Sequence, residues 1–238
     1  MTSFLKTPSL MAPFFIDKLC VVIPMKSPKR SKQRLVGSLS DTARESLSLT
    51  LFENTLAFFQ RHFPMLDVLV VSESLDVLAL AQTYEANTLF DDGENGLNGA
   101  LDFACDWVKK TGYDSMLIVP SDIAMLDPAE FVALMSAAND ASVVIAVAKD
   151  GGTNALLTSP PDAIQFEYGC DSASAHQANA LNNRLACRSL HLRNLALDID
   201  QGDDLNVAVT RQPERFKAWR DTGSSLMKKT LIKERHYA

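Results

Sequence analysis

Three groups of charged residues in this 238-residue chain are placed to do chemistry. Asp122 lies in "VPSDIAMLDP", directly after an apolar run, where an aspartate at the carboxyl end of a buried strand can bind a divalent cation. A helix N-cap is the competing role for such an aspartate, but Asp127, which precedes Pro128, fills it better. "LALDIDQGDDLN" carries Asp198, Asp200, Asp203 and Asp204. In an extended segment Asp198 and Asp200 share a face, so one or both can join Asp122 on a metal, while Asp203 or Asp204 caps the following helix. The third group is "MKSPKRSKQRL", in which Lys26, Lys29, Arg30, Lys32 and Arg34 crowd one loop after an apolar run. Taken alone, that loop is explained equally well as a solvated basic segment or as a site for phosphates. The cationic loop, the strand-end aspartate and the distant acidic pair together describe magnesium-dependent transfer of a nucleotidyl or phosphoryl group.

A fourth stretch, "AKDGGTNALLTSPP" from Ala148 to Pro161, sets Gly151 and Gly152 before Thr153 and Asn154. By turn chemistry alone it is a hairpin turn. Glycines followed by small polar residues also let backbone N–H groups and a hydroxyl meet an anion. Other chemistries lack their patterns: there is no GxxxxGK[ST] phosphate loop and no GxGxxG fingerprint. No Ser-His-Asp or Cys-His spacing is legible, and His62, His176, His191 and His236 are scattered enough that each alone reads as structural or exposed.

The elements that must carry these groups alternate along the chain. "LCVVIP", "DVLVVS", "SMLIVPSD" and "ASVVIAVA" read as buried strands. Helices are expected over residues 40–63, 74–86, 96–112 and 127–139, with Ser40 or Asp41 capping the first and Gly112 closing the third. A later strand pair is expected around "AIQFEYG" and "ACRSLHLRN". Strand–helix alternation of this kind gives a parallel sheet covered by helices on both faces, with its ligand beyond the carboxyl ends of the strands.

Composition narrows the class further. The chain is 47% hydrophobic and 22% charged, ordinary for a globular protein, and its net charge of -6 gives no reason to expect nucleic acid as a partner. No apolar run reaches the ~20 residues of a membrane span. Cys20, Cys105, Cys170 and Cys187 lie far apart without a CxxC pair and read as reduced thiols of a cytoplasmic protein. The expected organisation is an N-terminal extension of poor order over residues 1–18, a nucleotidyltransferase domain over 19–210, and a basic helical tail over 211–238. That tail is a candidate partner surface or the packing face of a homodimer.

"IPMKSPKRSKQRL", "DGENGLNGAL", "VPSDIAMLDP", "GGTNALLTSPPDAIQFEYGCDSASAH" and "LALDIDQGDDL" resemble, in this order, the motifs of the 2-phospho-L-lactate guanylyltransferases. These belong to the wider nucleotidyltransferase group that includes molybdenum cofactor guanylyltransferase. The resemblance runs from Leu19 to Leu205. It implies a Rossmann-like α/β fold of the nucleotide-diphospho-sugar transferase kind, with GTP and Mg2+ as requirements. The implied reaction, in coenzyme F-420 biosynthesis, guanylylates a phosphorylated three-carbon acid (2-phospho-L-lactate, phosphoenolpyruvate or 3-phosphoglycerate) with loss of pyrophosphate. Thr153, Asn154, Gly169 and Ser172 fall on acceptor-binding positions. Asp122, Asp198 and Asp200 fall on metal positions; Lys26, Lys32, Arg34, Gly96 and Asn98 fall on nucleotide-binding ones; Lys26 and Asp122 carry the catalytic roles. Where the family has YGxGSF this chain reads "YGCDSA", with Asp171 in place of a glycine and Ala173 in place of an aromatic, a change that bears on the acceptor. A sugar-phosphate or pterin nucleotidyltransferase, a glycosyltransferase and a noncatalytic nucleotide-binding protein are the competing readings.

Overall fold

The computed structural model describes residues 18–219, so the N-terminal extension and most of the basic tail lie outside the described residues. Seven strands form one sheet in the order β3-β2-β1-β4-β6-β5-β7. They are β1 (Leu19–Pro24), β2 (Asp67–Ser72), β3 (Asn87–Phe90), β4 (Ser115–Ile118), β5 (Val143–Val147), β6 (Thr153–Thr158) and β7 (Cys187–Leu190). Every pairing is parallel except those of β6, which runs antiparallel to both β4 and β5. Helices among the described residues include α1 (Asp41–His62), α2 (Leu75–Gln82), α3 (Gly96–Thr111), α4 (Pro128–Ala137), α5 (Ser172–Asn182) and α6 (Gly202–Arg211).

Side-chain alternation sorts the core into two layers. Leu19, Val21 and Ile23 of β1 face a cluster with Phe52, Phe59 and Phe131 from α1 and α4, whereas Cys20 and Val22 face Leu101, Ala104 and Val108 of α3. The strand is buried on both faces, which is why its sequence is apolar throughout. Each such Val or Ile stabilises the fold by about 1.5–3 kcal/mol. Ser40 caps α1 by accepting from the Ala43 N–H, Asp127 caps α4 with Pro128 in its first turn, and Gly112 ends α3 in the left-handed conformation.

A third cluster lies under the loops that carry the charged groups. Leu35 and Leu39 from the basic loop pack with Leu47 and Leu51 of α1, Ala124 and Met125, Leu197 and Ile199, and Phe216. The packed unit therefore continues past residue 210, and residues 213–219 are helical. This platform fixes three loops of distant sequence against one another.

Some expected elements differ. "AIQFEYG" is irregular rather than a strand, because it crosses from β6 to α5 over the helix layer, with Ile164 and Phe166 buried there. α2 stops at Gln82 rather than at residue 86, and β3 follows as a strand not among those expected. α5 and the reversal of β6 carry no strong periodic signal, since α5 buries only Ser172, Ala173, His176 and Ala180. The double glycine is a hairpin turn: the Ala148 N–H donates to Gly152 O and joins β5 to β6.

Candidate active site

The carboxylates meet because two backbone segments pair. Ile123 and Asp198 form an antiparallel bridge, the Ile199 N–H donates to Asp122 O, and the Ala124 N–H donates to Leu197 O. Leu197 and Ile199 point down into the third cluster, so Asp198 and Asp200 point away from it, toward Asp122. One oxygen from each of Asp122, Asp198 and Asp200 lies within 4.8 Å of the others. Burial first, then the Asp122 and Asp200 charges, push the Asp198 carboxyl from 3.8 up to about 6, against the opposing hydrogen bond from Asn154. Three mutually repelling carboxylates form an oxygen-only donor set, which fits a hard divalent cation.

Lys32 already neutralises part of this charge. Its ammonium lies 2.6 Å from Asp122 and 3.4 Å from Asp200, on a side chain only 4% exposed. Burial works against its charge, but Asp122, Asp200 and Asp198 outweigh it and raise its pKa. The backbone at Lys32 is left-handed, with φ of 55°. Arg34 reaches Asp200 at 3.2 Å. Lys32, expected at the nucleotide, thus sits at the carboxylates on the floor of the same cleft.

That cleft, about 620 Å³, opens beyond the carboxyl ends of β1, β2 and β4. Lys26, Arg30, Lys32 and Arg34 line one side, and Ser72, Glu73, Asp91, Gly93 and Gly96 line the other. Glu73 holds the basic loop in shape by accepting from the Ser27 N–H and from Arg30, both at 2.7 Å. Although burial opposes it, these bonds keep the Glu73 carboxyl below the usual carboxylate range. Buried Arg44 of α1 steadies the same loop from behind, donating to Ser31 O at 3.1 Å. Gly96 lines the cleft, but the Asn98 side chain is committed to the Tyr168 backbone, donating to its O and accepting from its N–H.

A smaller cavity of about 190 Å³ lies on the other side of the carboxylates, lined by Arg34, Lys149, Asp198, Asp200, Asp203 and Asp204 among others. Asp200 and Arg34 border both cavities. Lys149 and Asp150, at the start of the turn that runs to Thr153, line the smaller one, and Gly151 has φ of +88°, where an added Cβ would come within 3.2 Å of the Asp171 carboxylate. Thr153 and Asn154, expected to act together, lie on opposite faces of β6. The Asn154 amide donates to Leu195 O at 2.8 Å and Asp198 at 2.9 Å, so it braces a carboxylate. Thr153 instead meets Ser172 at 3.1 Å and His176 at 3.0 Å. Gly169 is exposed, at φ of +155°. Asp204 accepts from the Gln201 N–H and closes the capping box of α6.

Glu73, Lys149 and His176 were missed in the sequence. Glu73 follows β2 as the basic loop follows β1, and that position was its signal. Lys149 stood beside the double glycine, and His176 lies one helical turn after Ser172, on the same face of α5.

Residues 19–212 match the family described as guanylyl transferase CofC like. The chain is 44% identical over 188 residues to the 3-phospho-D-glycerate guanylyltransferase of Colwellia psychrerythraea, covering 79% of this chain and 89% of that one. It is 34% identical over 192 residues to the 2-phospho-L-lactate guanylyltransferase of Methanothermobacter thermautotrophicus (81% and 84% covered). Identity to the phosphoenolpyruvate guanylyltransferase of Conexibacter woesei is 31% over 189 residues (78% and 85%). Among solved structures, one from Desulfovibrio desulfuricans G20, provisionally described as a nucleotide-diphospho-sugar transferase, aligns with a TM-score of 0.67 at 18% identity, over 92% of this chain and 97% of that one. That likeness is one of fold. The mostly parallel sheet, the crossing of basic and acidic loops over one hydrophobic platform and the sequence match agree: the chain belongs to the CofC-like guanylyltransferase family.

Proposed function

We propose that this protein transfers GMP from GTP to the phosphate of a phosphorylated three-carbon acid and releases pyrophosphate. The observation that carries the reading is the position of the carboxylates. They stand between a cleft walled by four cations and a smaller cavity that Arg34 and Lys149 also border. A triphosphate and an anionic acceptor brought to the two sides would meet there.

In this reading an acceptor phosphate oxygen attacks the α-phosphorus of GTP, a new P–O bond forms, and the bond to the β-phosphate oxygen breaks. A phosphomonoester is largely dianionic at neutral pH, its second pKa being about 6, so no strong general base is required. The protein's work is to hold two anions together and to oppose their repulsion. Lys26, Arg30 and Arg34 line the triphosphate side, and Lys32 offsets the carboxylates. Mg2+ bound by Asp122, Asp198 and Asp200 would supply neutralisation of the developing charge. Lys149 and the Gly151–Thr153 turn supply acceptor contacts, together with Ser172. The 44% identity to a 3-phospho-D-glycerate enzyme puts 3-phosphoglycerate first among the acceptors.

Pyrophosphate release measured with GTP, CTP and UTP against each three-carbon phospho-acid tests this reading. GTP-dependent release requiring one of those acceptors supports it; release only with a sugar phosphate, or with CTP in preference to GTP, overturns it.

A further inference from the structure

His176 is fully buried, and both ring nitrogens are engaged. The Glu167 backbone N–H donates to Nε2 at 3.0 Å, and Nδ1 lies 3.0 Å from the Thr153 hydroxyl. A backbone N–H has only one role, so Nε2 must be the bare acceptor nitrogen, and the proton of the neutral ring is on Nδ1. Burial pushes the His176 pKa down to about 4, which keeps the ring neutral through the physiological range. Nδ1–H therefore donates to Thr153 Oγ1, and the imidazole cannot take a proton back from it.

The consequence falls on the Thr153–Ser172 pair, whose oxygens are 3.1 Å apart. Two hydroxyls bring two protons, and their mutual bond consumes one. Were Nδ1 an acceptor, the other would be spent on it. With Nδ1 and the Ser172 hydroxyl both donating to Thr153 Oγ1, the proton left over is that of Thr153. Thr153 and Ser172 are 5% and 2% exposed, so the direction of their bond is set chiefly by protein groups around them. The Tyr168 ring packs edge-on against His176, with centroids 4.9 Å apart, and fixes the ring plane.

We propose that His176 is a positioning residue for the acceptor: it sets the polarity of the Thr153–Ser172 pair so that one hydroxyl donates to an anionic oxygen of the phospho-acid. This rests on the reading of Thr153 and Ser172 as acceptor contacts. His176→Phe keeps the ring's bulk and removes both hydrogen bonds, whereas His176→Asn can return an N–H near the Nδ1 position. His176→Phe is expected to raise the acceptor KM about tenfold, the loss expected of a hydrogen bond to a charged group, with GTP KM and kcat within about twofold. His176→Asn is expected to recover most of that loss. Thr153→Val and Ser172→Ala run alongside. If neither changes the acceptor KM, the acceptor reading fails. If they raise it and His176→Phe does not, the histidine's role fails while the acceptor reading stands. Nitrogen-15 NMR of the full chain gives a test that needs no variant to fold: a proton on Nδ1 at pH 7 is expected, and a proton on Nε2 overturns the proposal.

Discussion

Asp198→Asn is expected to stabilise the metal-free protein while destroying its function. The Asp198 carboxyl climbs from 3.8 to about 6, driven first by burial and then by Asp122 and Asp200. At about 1.4 kcal/mol for each pH unit, ionising Asp198 in the folded chain costs on the order of 2–3 kcal/mol at pH 7 and above. Because the folded value is the higher one, the stability is fully present below about pH 4 and is lost as pH rises through about 6. Asparagine removes the charge and keeps a carbonyl to accept from Asn154. In chelator at pH 7.5 the variant should melt about 5–10 °C above wild type, and the two should converge near pH 4. Millimolar Mg2+ should then raise the wild-type midpoint and leave that of the variant nearly unchanged. Differential scanning calorimetry across pH, with and without Mg2+, reads all of this. A variant that melts at or below wild type in chelator at pH 7.5, or that gains as much from Mg2+, would refute the electrostatic account of the cluster.

Other perturbations separate the parts of the site. Asp122→Asn should lower turnover about a thousandfold with an intact fold, checked by circular dichroism beside a pyrophosphate assay. Lys32→Met leaves three carboxylates without their buried cation, and should cost about 3–5 kcal/mol in chelator, with Mg2+ restoring much of the loss in thermal melts. Gly151→Ala forces a side chain into a left-handed conformation against Asp171; steady-state kinetics should show a higher acceptor KM and an unchanged GTP KM. Glu73→Gln weakens the clasp on Ser27 and Arg30, and should raise GTP KM while sparing the acceptor KM.

The parallel sheet and its helices were legible because β1, β2, β4 and β5 are buried on both faces and so read as uninterrupted apolar runs. The carboxylate cluster was legible for a different reason: alternation places Asp198 and Asp200 on one face, with Ile199 buried between them. What escaped depends on partners distant in sequence. That Lys32 would turn to Asp122 is decided by a left-handed backbone and by Leu35 anchoring the loop, neither of which has a local signature. Asn98 and Asn154 carry amides that suit a ligand equally well, and only the fold shows them bracing Tyr168 and Asp198. His176 looked like a core histidine, and it is one; its bearing on the site lies in the direction of its hydrogen bonds.

The most direct test of the account is mass spectrometry of the product formed from GTP and Mg2+ with 3-phosphoglycerate, phosphoenolpyruvate and 2-phospho-L-lactate in competition. A GMP adduct joined through the acceptor's phosphate is expected, formed together with pyrophosphate, with 3-phosphoglycerate foremost. No guanylylated product from any of the three would contradict it.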